Sequence, residues 1–461
     1  MLLSMDFAGT YGIAGGYSAP EFEFSGQAIA TSNGGNTWVL AGVPDSARSL
    51  TSVELFDAGI ALAFGACNIP ADRTMRTHIR ADEDLTFPVG VERDLVRIGI
   101  SGGASYKAMF LRSSNSGLTW DTQNSLPDSI YYVLSSSFIN PLLGYVTADA
   151  SPSFGIARVL KTTNGGDDWS ILQTPDSIIL LRNIAFTDAD HGVAVGYRIQ
   201  TGGFAGTIIR TIDGGGSWQS FEFPAVDNFT DVSFPSPLIG YVAGVSNLAG
   251  TGVVCKTTDG GATWIQLLYS PVDVIVEGIT FAEGSTSIGM LHGLQDVNPG
   301  SRELKPFFAL TTDGGQSWRD TTIAGLPNDT DPVDAFFRSP AEGFLCGGNL
   351  QEAVMLYTDN GGISSVEPIS DQPLRSFHLQ QNFPNPFNPR TVINYHQAMR
   401  NRVTLKVYDV LGREIATLVN EIKESGAHSV YWDASEQPSG VYFYRLKEGS
   451  FVEQKKMVLM K

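Results

Sequence analysis

Seven short segments place a carboxylate or carboxamide between two hydroxyl side chains, and they are the most chemically suggestive pattern in the chain. Each reads Thr or Ser, any residue, Asp or Asn, any residue, Gly, any residue, Thr or Ser, Trp. The Asp or Asn positions are Asn33, Asn115, Asn164, Asp213, Asp259, Asp313 and Asn360. Asp and Asn side chains fold back onto backbone N–H groups one to three residues ahead, and the Gly accepts positive φ at little cost. The octapeptide therefore predicts a self-satisfied hairpin turn, and nothing in it needs a ligand or a metal.

A tryptophan closes six of the seven octapeptides. Its apolar body favours burial beside the turn, while the indole N–H is available to an acceptor. The seventh copy has Ser365 at this position, and the third copy has Asp168 in the second hydroxyl position. The tryptophans are Trp38, Trp120, Trp169, Trp218, Trp264 and Trp318.

The other reactive residue types form no recognisable motif. Acidic pairs beside Gly166 and Ala81 lack the spaced carboxylates of a calcium loop, and the six histidines form no close pair. The three cysteines are far apart in the sequence, and we expect buried free thiols at Cys67, Cys255 and Cys346. The sequence thus predicts no catalytic residue, no metal site and no cofactor.

The spacing of the octapeptides indicates a repeat architecture. Measured between their Asp or Asn positions, the steps are 82, 49, 49, 46, 54 and 47 residues. Each unit contains four short apolar runs. The first two form a pair, as in IAFTDADHGVAVG at 184–196, a third leads into the octapeptide, and a fourth follows its Trp. Four short strands per unit, repeated seven times, predict an all-β chain whose residues 1–368 form a seven-bladed β-propeller. A solenoid is the alternative.

The order of the strands predicts two different ends for such a propeller. The octapeptides, between strands three and four, must share one end with the turns between strands one and two. The loops between strands two and three lie at the opposite end, and they differ between repeats. The longest, Cys67 to Val96, accounts for the 82-residue step, and irregular loops on rigid scaffolds often carry function. Its candidate binding residues are Arg73, Arg76, His78, Arg80, Asp82 and Asp84; a solvated excursion of mixed charge is the alternative.

The charge distribution limits the partners. The net charge is −18, and residues from Asp371 onward contain 12 Lys and Arg against 9 Asp and Glu, or +3, which leaves −21 for residues 1–370. A body this acidic repels phosphate backbones, so nucleic acid is excluded as a partner. The longest apolar runs are too short for a membrane-spanning helix. The first residues lack the basic region of a secretory signal, so we expect the natural start of the chain to be missing.

The octapeptide resembles the Asp box of BNR repeats, which occur in sialidases, xyloglucan-degrading glycosidases, sortilin-type receptors and photosystem II assembly factors. The resemblance implies the blade and not a reaction, since such propellers carry unrelated functions. The Arg-Ile-Pro signature of sialidases is absent, and no pair of carboxylates stands out as the acid and base of a glycosidase.

The last 85 residues contain five segments in a characteristic order. They follow a linker at 369–380 and are QNFPNPFNPRTVINYHQ, VTLKVYDVLGREIATLV, GAHSVYWDA, PSGVYFYRLKEG and KKMVLMK, within residues 381–461. Alternating apolar residues predict a small Ig-like β-sandwich, and the proline-rich stretch predicts a rigid strap that is neither helix nor central strand. Together the segments resemble the type A sorting domain of the bacterial type IX secretion system. The residues that match its signal are Asn382, Pro384, Asn385, Pro386, Gly440, Tyr442, Lys455, Lys456 and Lys461.

This resemblance implies export across the outer membrane, recognition by the type IX machinery, and removal of the domain by a surface sortase. We therefore expect a secreted or surface-attached, monomeric bacterial protein whose propeller binds a glycan or protein without catalysis. The alternative is a sialidase- or xyloglucanase-like glycoside hydrolase that acts on extracellular polysaccharide.

Overall fold

The chain forms two compact units, Met1–Ile369 and Ser370–Lys461, in a computed structural model. The structure describes residues 1–18, 25–56, 59–68, 106–151, 155–200, 203–223, 225–246, 251–267, 273–298, 303–321, 323, 326, 330–348, 353–359, 378–379, 382, 385–397, 401–423, 426–448 and 451–460. Every regular element in these ranges is a β-strand. Among them there is no helix long and apolar enough to cross a membrane.

The first unit contains seven antiparallel sheets, and each is built from consecutive strands in meander order. Six sheets have four strands and the seventh has three among the described residues. The sheets are β1 (Leu2–Ala8), β2 (Tyr11–Ser18), β3 (Ser25–Thr31), β4 (Val39–Leu40); β5 (Ala47–Leu55), β6 (Ala61–Asn68), β7 (Tyr106–Ser113), β8 (Asp121–Gln123); β9 (Tyr132–Phe138), β10 (Gly144–Asp149), β11 (Ala157–Thr162), β12 (Ser170–Leu172); β13 (Ile178–Phe186), β14 (Gly192–Gln200), β15 (Gly203–Thr211), β16 (Gln219–Phe223); β17 (Asn228–Ser233), β18 (Gly240–Ser246), β19 (Thr251–Thr257), β20 (Ile265–Gln266); β21 (Val274–Phe281), β22 (Gly289–Asn298), β23 (Glu303–Thr311), β24 (Arg319–Thr321); and β25 (Asp331–Phe337), β26 (Gly343–Gly348), β27 (Ala353–Thr358).

The hydrophobic cores lie between successive sheets. One cluster joins Phe64 and Phe110 of the second sheet to Val133 and Val146 of the third, and similar clusters fill the other junctions. The second strand of each sheet is packed on both faces, so it cannot alternate apolar and polar residues. Accordingly β10, β18 and β26 are buried along their whole length. Each sheet is thus a blade, and the predicted all-β, seven-bladed propeller is confirmed.

β1 pairs with β2 of its own sheet and not with a strand of blade seven. The ring is therefore closed by side-chain packing and hydrogen bonds between the first blade and the seventh. Phe7 stacks on Phe344 and Phe336, with ring centroids 4.4 and 5.2 Å away. The Met5 N–H donates a hydrogen bond of 2.9 Å to Asp334 Oδ2 across the same junction. A fourth strand for blade seven, expected from residues that follow its octapeptide, lies outside the described ranges.

The octapeptides and the turns between strands one and two lie at the same end of the propeller, as the strand order predicts. In six blades an octapeptide backbone N–H donates to a carbonyl of one of these turns over 2.7–2.9 Å, as Gly34 does to Thr10 and Gly314 to Ser287. The blades therefore have one uniform end, which we call the octapeptide end, and one opposite end, which we call the loop end.

The second unit is a small β-sandwich. One sheet has the order β28-β29-β32 and the other the order β31-β30-β33-β34. Between them lies one core that includes Phe387, Leu405, Trp432, Tyr444 and Met457. The strands are β28 (His378–Leu379), β29 (Arg390–Gln397), β30 (Asn401–Tyr408), β31 (Glu414–Lys423), β32 (Gly426–Asp433), β33 (Gly440–Glu448) and β34 (Phe451–Leu459).

Candidate functional site: the central cavity of the propeller

The octapeptides form closed hydrogen-bonded turns. In blade four, Asp213 Oδ1 accepts bonds from the Thr211 hydroxyl and the Ser217 N–H, both 2.8 Å, and Asp213 Oδ2 accepts the Ser217 hydroxyl at 2.6 Å. Thr211 Oγ1 in turn accepts the Gly215 N–H at 2.8 Å. In blade one the same contacts include Asn33, whose Nδ2 donates to Thr37 Oγ1 at 2.8 Å. These oxygens are therefore already used within the turn.

Hydrogen bonds from the turn hydroxyls and N–H groups lower the pKa of the octapeptide carboxyls. The pKa of Asp213 is lowered to about 2, first by the Ser217 hydroxyl and then by the Ser217 N–H. The same causes, from Thr263 and Ser317, lower the pKa of Asp259 and Asp313 to about 2. These groups stay ionised at all physiological pH values, as suits an acceptor in a turn.

The residue directly before the octapeptide joins one blade to the next. Lys256 Nζ donates to Gly314 O of the following octapeptide at 2.7 Å, and Arg210 Nε donates to Gly260 O at 2.7 Å. Lys161 makes the same contact with Gly214 O at 3.0 Å, and Arg112 bonds to Gly165 O. In three of the four, Arg112, Lys161 and Lys256, the cation also lies over an aromatic ring of its own blade, with Lys256 Nζ 5.1 Å from the Tyr241 ring centroid. We call these four contacts the cation latches.

A cavity of about 340 Å³ lies on the axis of the propeller. It is lined by the innermost strands of all seven blades, over the middle part of those strands. One residue per blade stands at the same register position in this lining: Leu3, Thr51, Leu134, Arg182, Thr230, Glu277 and Val333.

Each of these seven residues is the unpaired residue of a β-bulge. The pairing of the first strand with the second shifts at this point in every blade, for example between Leu181 and Asn183. Bulges re-aim side chains and are over-represented next to functional sites. We call the seven residues the bulge ring.

Glycine opposite the bulge makes the ring possible. In six blades the residue before the bulge pairs with a glycine, as Leu181 does with Gly196. A Cβ on Gly196 would lie 2.0 Å from Leu180 O, and one on Gly293 would lie 2.0 Å from Ile275 O. No side chain fits at such distances, so glycine is required there by close backbone approach.

Deeper in the cavity, polar side chains tie every blade to the next. Asp6 Oδ2 accepts the Leu55 N–H at 2.7 Å, Ser52 Oγ lies 2.7 Å from Ser136 Oγ, and Ser135 Oγ donates to Asn183 Oδ1 at 3.0 Å. Asn183 donates to Asp231, and Asp231 Oδ2 accepts the Ile279 N–H at 2.8 Å. We call this set the polar ring; its members are Asp6, Ser52, Ser135, Asn183, Asp231, His292 and Asp334.

The sixth blade contributes to the polar ring from its second strand. Gly278 stands where other blades carry Ser, Asn or Asp, and a Cβ there would lie 2.0 Å from His292 Nε2. The buried His292 fills this space, and its Nδ1 lies 3.2 Å from Pro332 O of blade seven. Since Asp334 then bonds to Met5 of blade one, hydrogen bonds run around the whole ring.

Burial raises the pKa of the cavity carboxyls. Desolvation is the largest cause in each case: it raises the pKa of Asp6 and Asp231 to about 7, that of Asp334 to about 6 and that of Glu54 to about 8. Neighbouring carboxylates add to the effect, with Asp334 acting on Asp6 and Asp231, and Asp6 acting on Glu54. These groups therefore exchange protons near neutral pH, unlike those of the octapeptides.

A second space of about 420 Å³ lies at the octapeptide end. Its lining includes Phe7, Phe56, Phe336, Glu283 and Arg338. Arg338 Nη1 pairs with Glu342 Oε1 at 2.6 Å, and the guanidinium carbon lies 5.1 Å from the centroid of the Phe7 ring. Arg338 thus connects blade seven to blade one through its contact with the Phe7 ring.

The sequence-predicted residues and the cavity do not coincide. The octapeptides lie at one end of the blades, whereas the bulge ring lies within the first strands. The insertion residues Arg73, Arg76, His78, Arg80, Asp82 and Asp84, like Asn360 in the last octapeptide, lie outside the described residues. In the part of the chain that the structure describes, no group of three His, Cys, Asp or Glu is placed to hold a metal ion. Cys67 is partly buried, Cys255 and Cys346 are buried, and all three are free thiols.

Sequence reasoning missed the bulge ring and the polar ring, although two signals existed. A polar residue stands three places before the Phe that ends the first apolar run, as Asn183, Asp231 and Asp334 do before Phe186, Phe234 and Phe337. The second apolar run ends in the glycine that faces the bulge, as in GVAVG and GYVAG.

In the second unit, the proline-rich strap is attached to the last strand. Asn385 Oδ1 accepts the Val458 N–H at 2.9 Å. The N–H of buried Asn382 donates to Tyr444 Oη at 2.8 Å, and its Nδ2 donates to Thr391 Oγ1 at 2.9 Å. Tyr442 is buried and its hydroxyl donates to Pro438 O at 2.8 Å, while Gly440 begins β33. Lys455 and Lys456 lie on β34 at a sheet edge, and Pro386 is exposed. Pro384 and Lys461 lie outside the described ranges.

The molecule is thus a seven-bladed β-propeller followed by a β-sandwich unit. Residues 381–460 match the family described as secretion system C-terminal sorting domain, which confirms the type IX sorting resemblance of the last segments. This segment belongs to that family, and the protein is accordingly secreted or located at the cell surface, with the type IX secretion machinery as a partner. No curated protein matches the chain.

Several solved structures are similar to the chain in fold. One is YCF48 bound to D1 peptide, at 16% identity over 87% of this chain and 98% of that chain, with a TM-score of 0.47. A second is PorZ, a surface component of the type IX secretion system of Porphyromonas gingivalis, at 12% identity over 99% and 59%, with a TM-score of 0.45. A third is a GH74 xyloglucanase from Xanthomonas campestris, at 13% identity over 82% and 58%, with a TM-score of 0.45. The chain spans less than two thirds of the length of the last two, and such similarity concerns the fold alone.

Proposed function

We propose that the protein is a non-catalytic binding protein of the cell surface, whose propeller holds a glycan or protein at the loop end of its central cavity. One observation carries this proposal. The aspartates of the polar ring are acceptors for the N–H groups of neighbouring blades, so their contacts serve to assemble a rigid scaffold around a cavity. A preformed polar and aliphatic cavity of this size suits binding.

The contacts of Asp231 illustrate the argument. Its two oxygens accept the Val232 and Ile279 N–H groups, both at 2.8 Å, and Asn183 donates to Oδ1 as well. Asp334 is held in the same manner by Met5 and Ala335, at 2.9 and 2.8 Å. A catalytic base must change its protonation state and adjust its position as the reaction proceeds, and a carboxylate fixed by backbone donors on both oxygens lacks that freedom.

Delivery to the surface rests on the second unit. In our proposal the type IX machinery recognises the sandwich through the strap and the edge strand, and a sortase then removes the domain. The supporting observation is the attachment of the strap to β34 through Asn385 and Phe387, whose N–H donates to Val458 O at 2.9 Å. These bonds join the strap to the edge strand β34. We propose that the exported protein is a monomer.

Glycoside hydrolysis is the second candidate, and Glu54 is the observation that favours it. Its carboxyl accepts the Ser136 hydroxyl at 2.8 Å, and burial raises its pKa to about 8. A carboxyl that stays protonated at neutral pH has the state of a general acid, and Asp6 beside it would have to act as its partner.

One screen separates the two candidates. The purified full chain is incubated with bacterial and plant polysaccharides, and both retention on the immobilised polymer and the release of reducing ends are measured. We expect retention of at least one polymer, or of a surface protein offered in parallel, with no new reducing ends. Reducing ends that form with the native chain and disappear in Glu54→Gln would establish the hydrolase instead. The matched control is Glu222→Gln, on the outer strand β16.

A further inference from the structure

The bulge ring has a chemically divided lining. Around the axis, blades seven, one and three contribute the aliphatic residues Val333, Leu3 and Leu134, whereas blades four, five and six contribute Arg182, Thr230 and Glu277. Blade two contributes Thr51 between Leu3 and Leu134, and the Thr51 hydroxyl is bonded to Phe64 O and Val133 O. An occupant of the cavity therefore meets an aliphatic arc on one side and a polar arc on the other. A sugar ring, which presents hydroxyls around its whole edge, matches this division poorly.

Below the bulge ring, toward the octapeptide end, the cavity becomes polar and acidic. Its lining there includes Ser136, Asn183, Asp6, Glu54, Asp231 and Asp334. Over both levels five carboxyl groups face one guanidinium, that of Arg182. The aromatic side chains that commonly form platforms for sugar rings do not occur among the described residues that line it.

We propose that the central cavity receives a lysine or arginine side chain of a protein partner, with the bulge ring as its specificity-determining contact. This rests on the proposed binding function and names its ligand class. A basic side chain combines an aliphatic stem with a cationic head. The stem fits against Leu3, Leu134 and Val333, and the head reaches Glu277 and the carboxylates of the polar ring.

The charge of the scaffold supports a basic partner. Residues 1–370 carry a net charge of −21, which steers positively charged segments toward the molecule and repels acidic ones. Each aspartate of the polar ring has further lone pairs on the two oxygens that hold the blades, so it can accept a bond from an ammonium group without losing its blade contact. A head group of this kind also offsets the mutual repulsion of the buried carboxylates.

Binding of a cation then has a definite pH dependence. The ligand favours the ionised carboxylates, whose pKa values lie between about 6 and 8 in the empty cavity. The groups that face one another here are Asp6, Glu54, Asp231, Glu277 and Asp334, together with Arg182; Glu283, at the octapeptide end, acts on Asp6. Because protons compete with the ligand, affinity should rise from pH 5 to pH 8.

The test uses the full chain and the capped peptide Ac-Gly-Gly-Lys-Gly-Gly-NH2, titrated by calorimetry or by NMR. The reference probes are the same peptide with an acetylated lysine and the same peptide with Glu in place of Lys. We expect saturable binding of the lysine peptide, and an affinity loss of about tenfold or more on acetylation of its side chain. Equal binding of the acetylated peptide would overturn the proposal.

Variants locate the contact. Glu277→Gln should weaken binding of the lysine peptide by about tenfold, whereas Asp121→Asn, which removes the same charge from the outer strand β8, should leave it unchanged. If Glu277→Gln does not fold, the pH series on the native chain decides, since an affinity that does not rise between pH 5 and pH 8 contradicts the proposal. Retention of a polysaccharide that is insensitive to Glu277→Gln and to the lysine peptide would refute this inference and leave the proposed binding function standing.

Discussion

At the scale of single residues, the glycine opposite six of the seven bulges allows the close approach of the first two strands at the cavity lining. We predict that Gly196→Ala destabilises the propeller by roughly 2–3 kcal/mol or more, because the new Cβ would lie 2.0 Å from Leu180 O and backbone cannot give way as a side chain can. Urea unfolding followed by tryptophan fluorescence measures the change. The matched control is Gly216→Ala, at an octapeptide position where blade five already has Ala262. A loss in Gly196→Ala no larger than in this control would contradict the close-approach argument.

A second prediction for single residues concerns the carboxylate of the octapeptide. Asp213→Asn should leave stability at pH 7 nearly unchanged, because Asn33 shows that an amide in this position donates to the hydroxyl of Thr37 in place of accepting from it. Asp213→Ala should lower stability more, since the Ser217 N–H and the Thr211 hydroxyl lose their acceptor. Thermal unfolding of the two variants side by side tests the ranking. Equal losses would mean that the side chain does not hold the turn.

At the scale of elements, the cation latches connect blades that no strand pairing connects. Lys256→Met keeps most of the aliphatic stem but removes the bond to Gly314 O and the cation over the Tyr241 ring. We expect a loss of about 1–2 kcal/mol in the free energy of unfolding. Arg319→Met removes a charge from the exposed outer strand β24 and serves as the control, with an expected change near zero. Denaturant titration of both variants in the same buffer gives the comparison.

Elements that depend on local sequence were predictable, and contacts between blades were not. The octapeptide closes on its own hydroxyls and N–H groups within a few residues, so its spacing alone predicted seven blades. The cation that precedes it, such as Arg210 or Lys256, is equally visible in the sequence, but its acceptor lies in the next octapeptide, 50 or 58 residues away. The same holds for the polar ring, because Asp334 and Met5 meet only when the ring has closed. The bulges are harder still to predict from the sequence, because the one unpaired residue does not interrupt the apolar run that indicates the strand.

At the scale of the whole molecule, two sets of carboxyls respond to pH in opposite directions. The octapeptide carboxyls have pKa values lowered to about 2, so their contribution is present above the unfolded value near 4 and is lost as pH falls toward 2. The cavity carboxyls have pKa values raised to between about 6 and 8. Their protonated form is favoured by folding, so their contribution to stability is fully present below the unfolded pKa near 4 and is lost as pH rises to the folded values of about 6 to 8. The α-amino group of Met1, with a pKa that burial lowers to about 6, opposes this trend, but four carboxyls outnumber it.

We therefore predict that the free energy of unfolding of the propeller decreases by more than about 1 kcal/mol between pH 5 and pH 8. Urea unfolding at pH 5, 6.5 and 8 measures this decrease. Glu54→Gln removes the group with the highest of these pKa values, about 8, and should flatten the slope at the alkaline end, whereas Glu222→Gln on β16 should not. A stability that increases steadily from pH 5 to pH 8 would show that the cavity carboxyls are already ionised at the acid end.

The last prediction concerns export, because the propeller and the sorting domain are two compact units of the chain. We expect the full chain, supplied with a secretory leader, to reach the surface of a bacterium that has a type IX system, since residues 381–460 belong to the sorting family. A chain ending at Ile369 keeps the whole propeller unit and should remain in the periplasm in folded form. Surface labelling and fractionation distinguish the two locations, and a host without the type IX machinery provides the control for leakage.

Mass spectrometry of the surface protein should find propeller peptides and none from the last 80 residues, as sortase removal requires. Surface display of the truncated chain would show that the sandwich is dispensable for export, and intact sandwich peptides at the surface would show that export occurs without sortase removal.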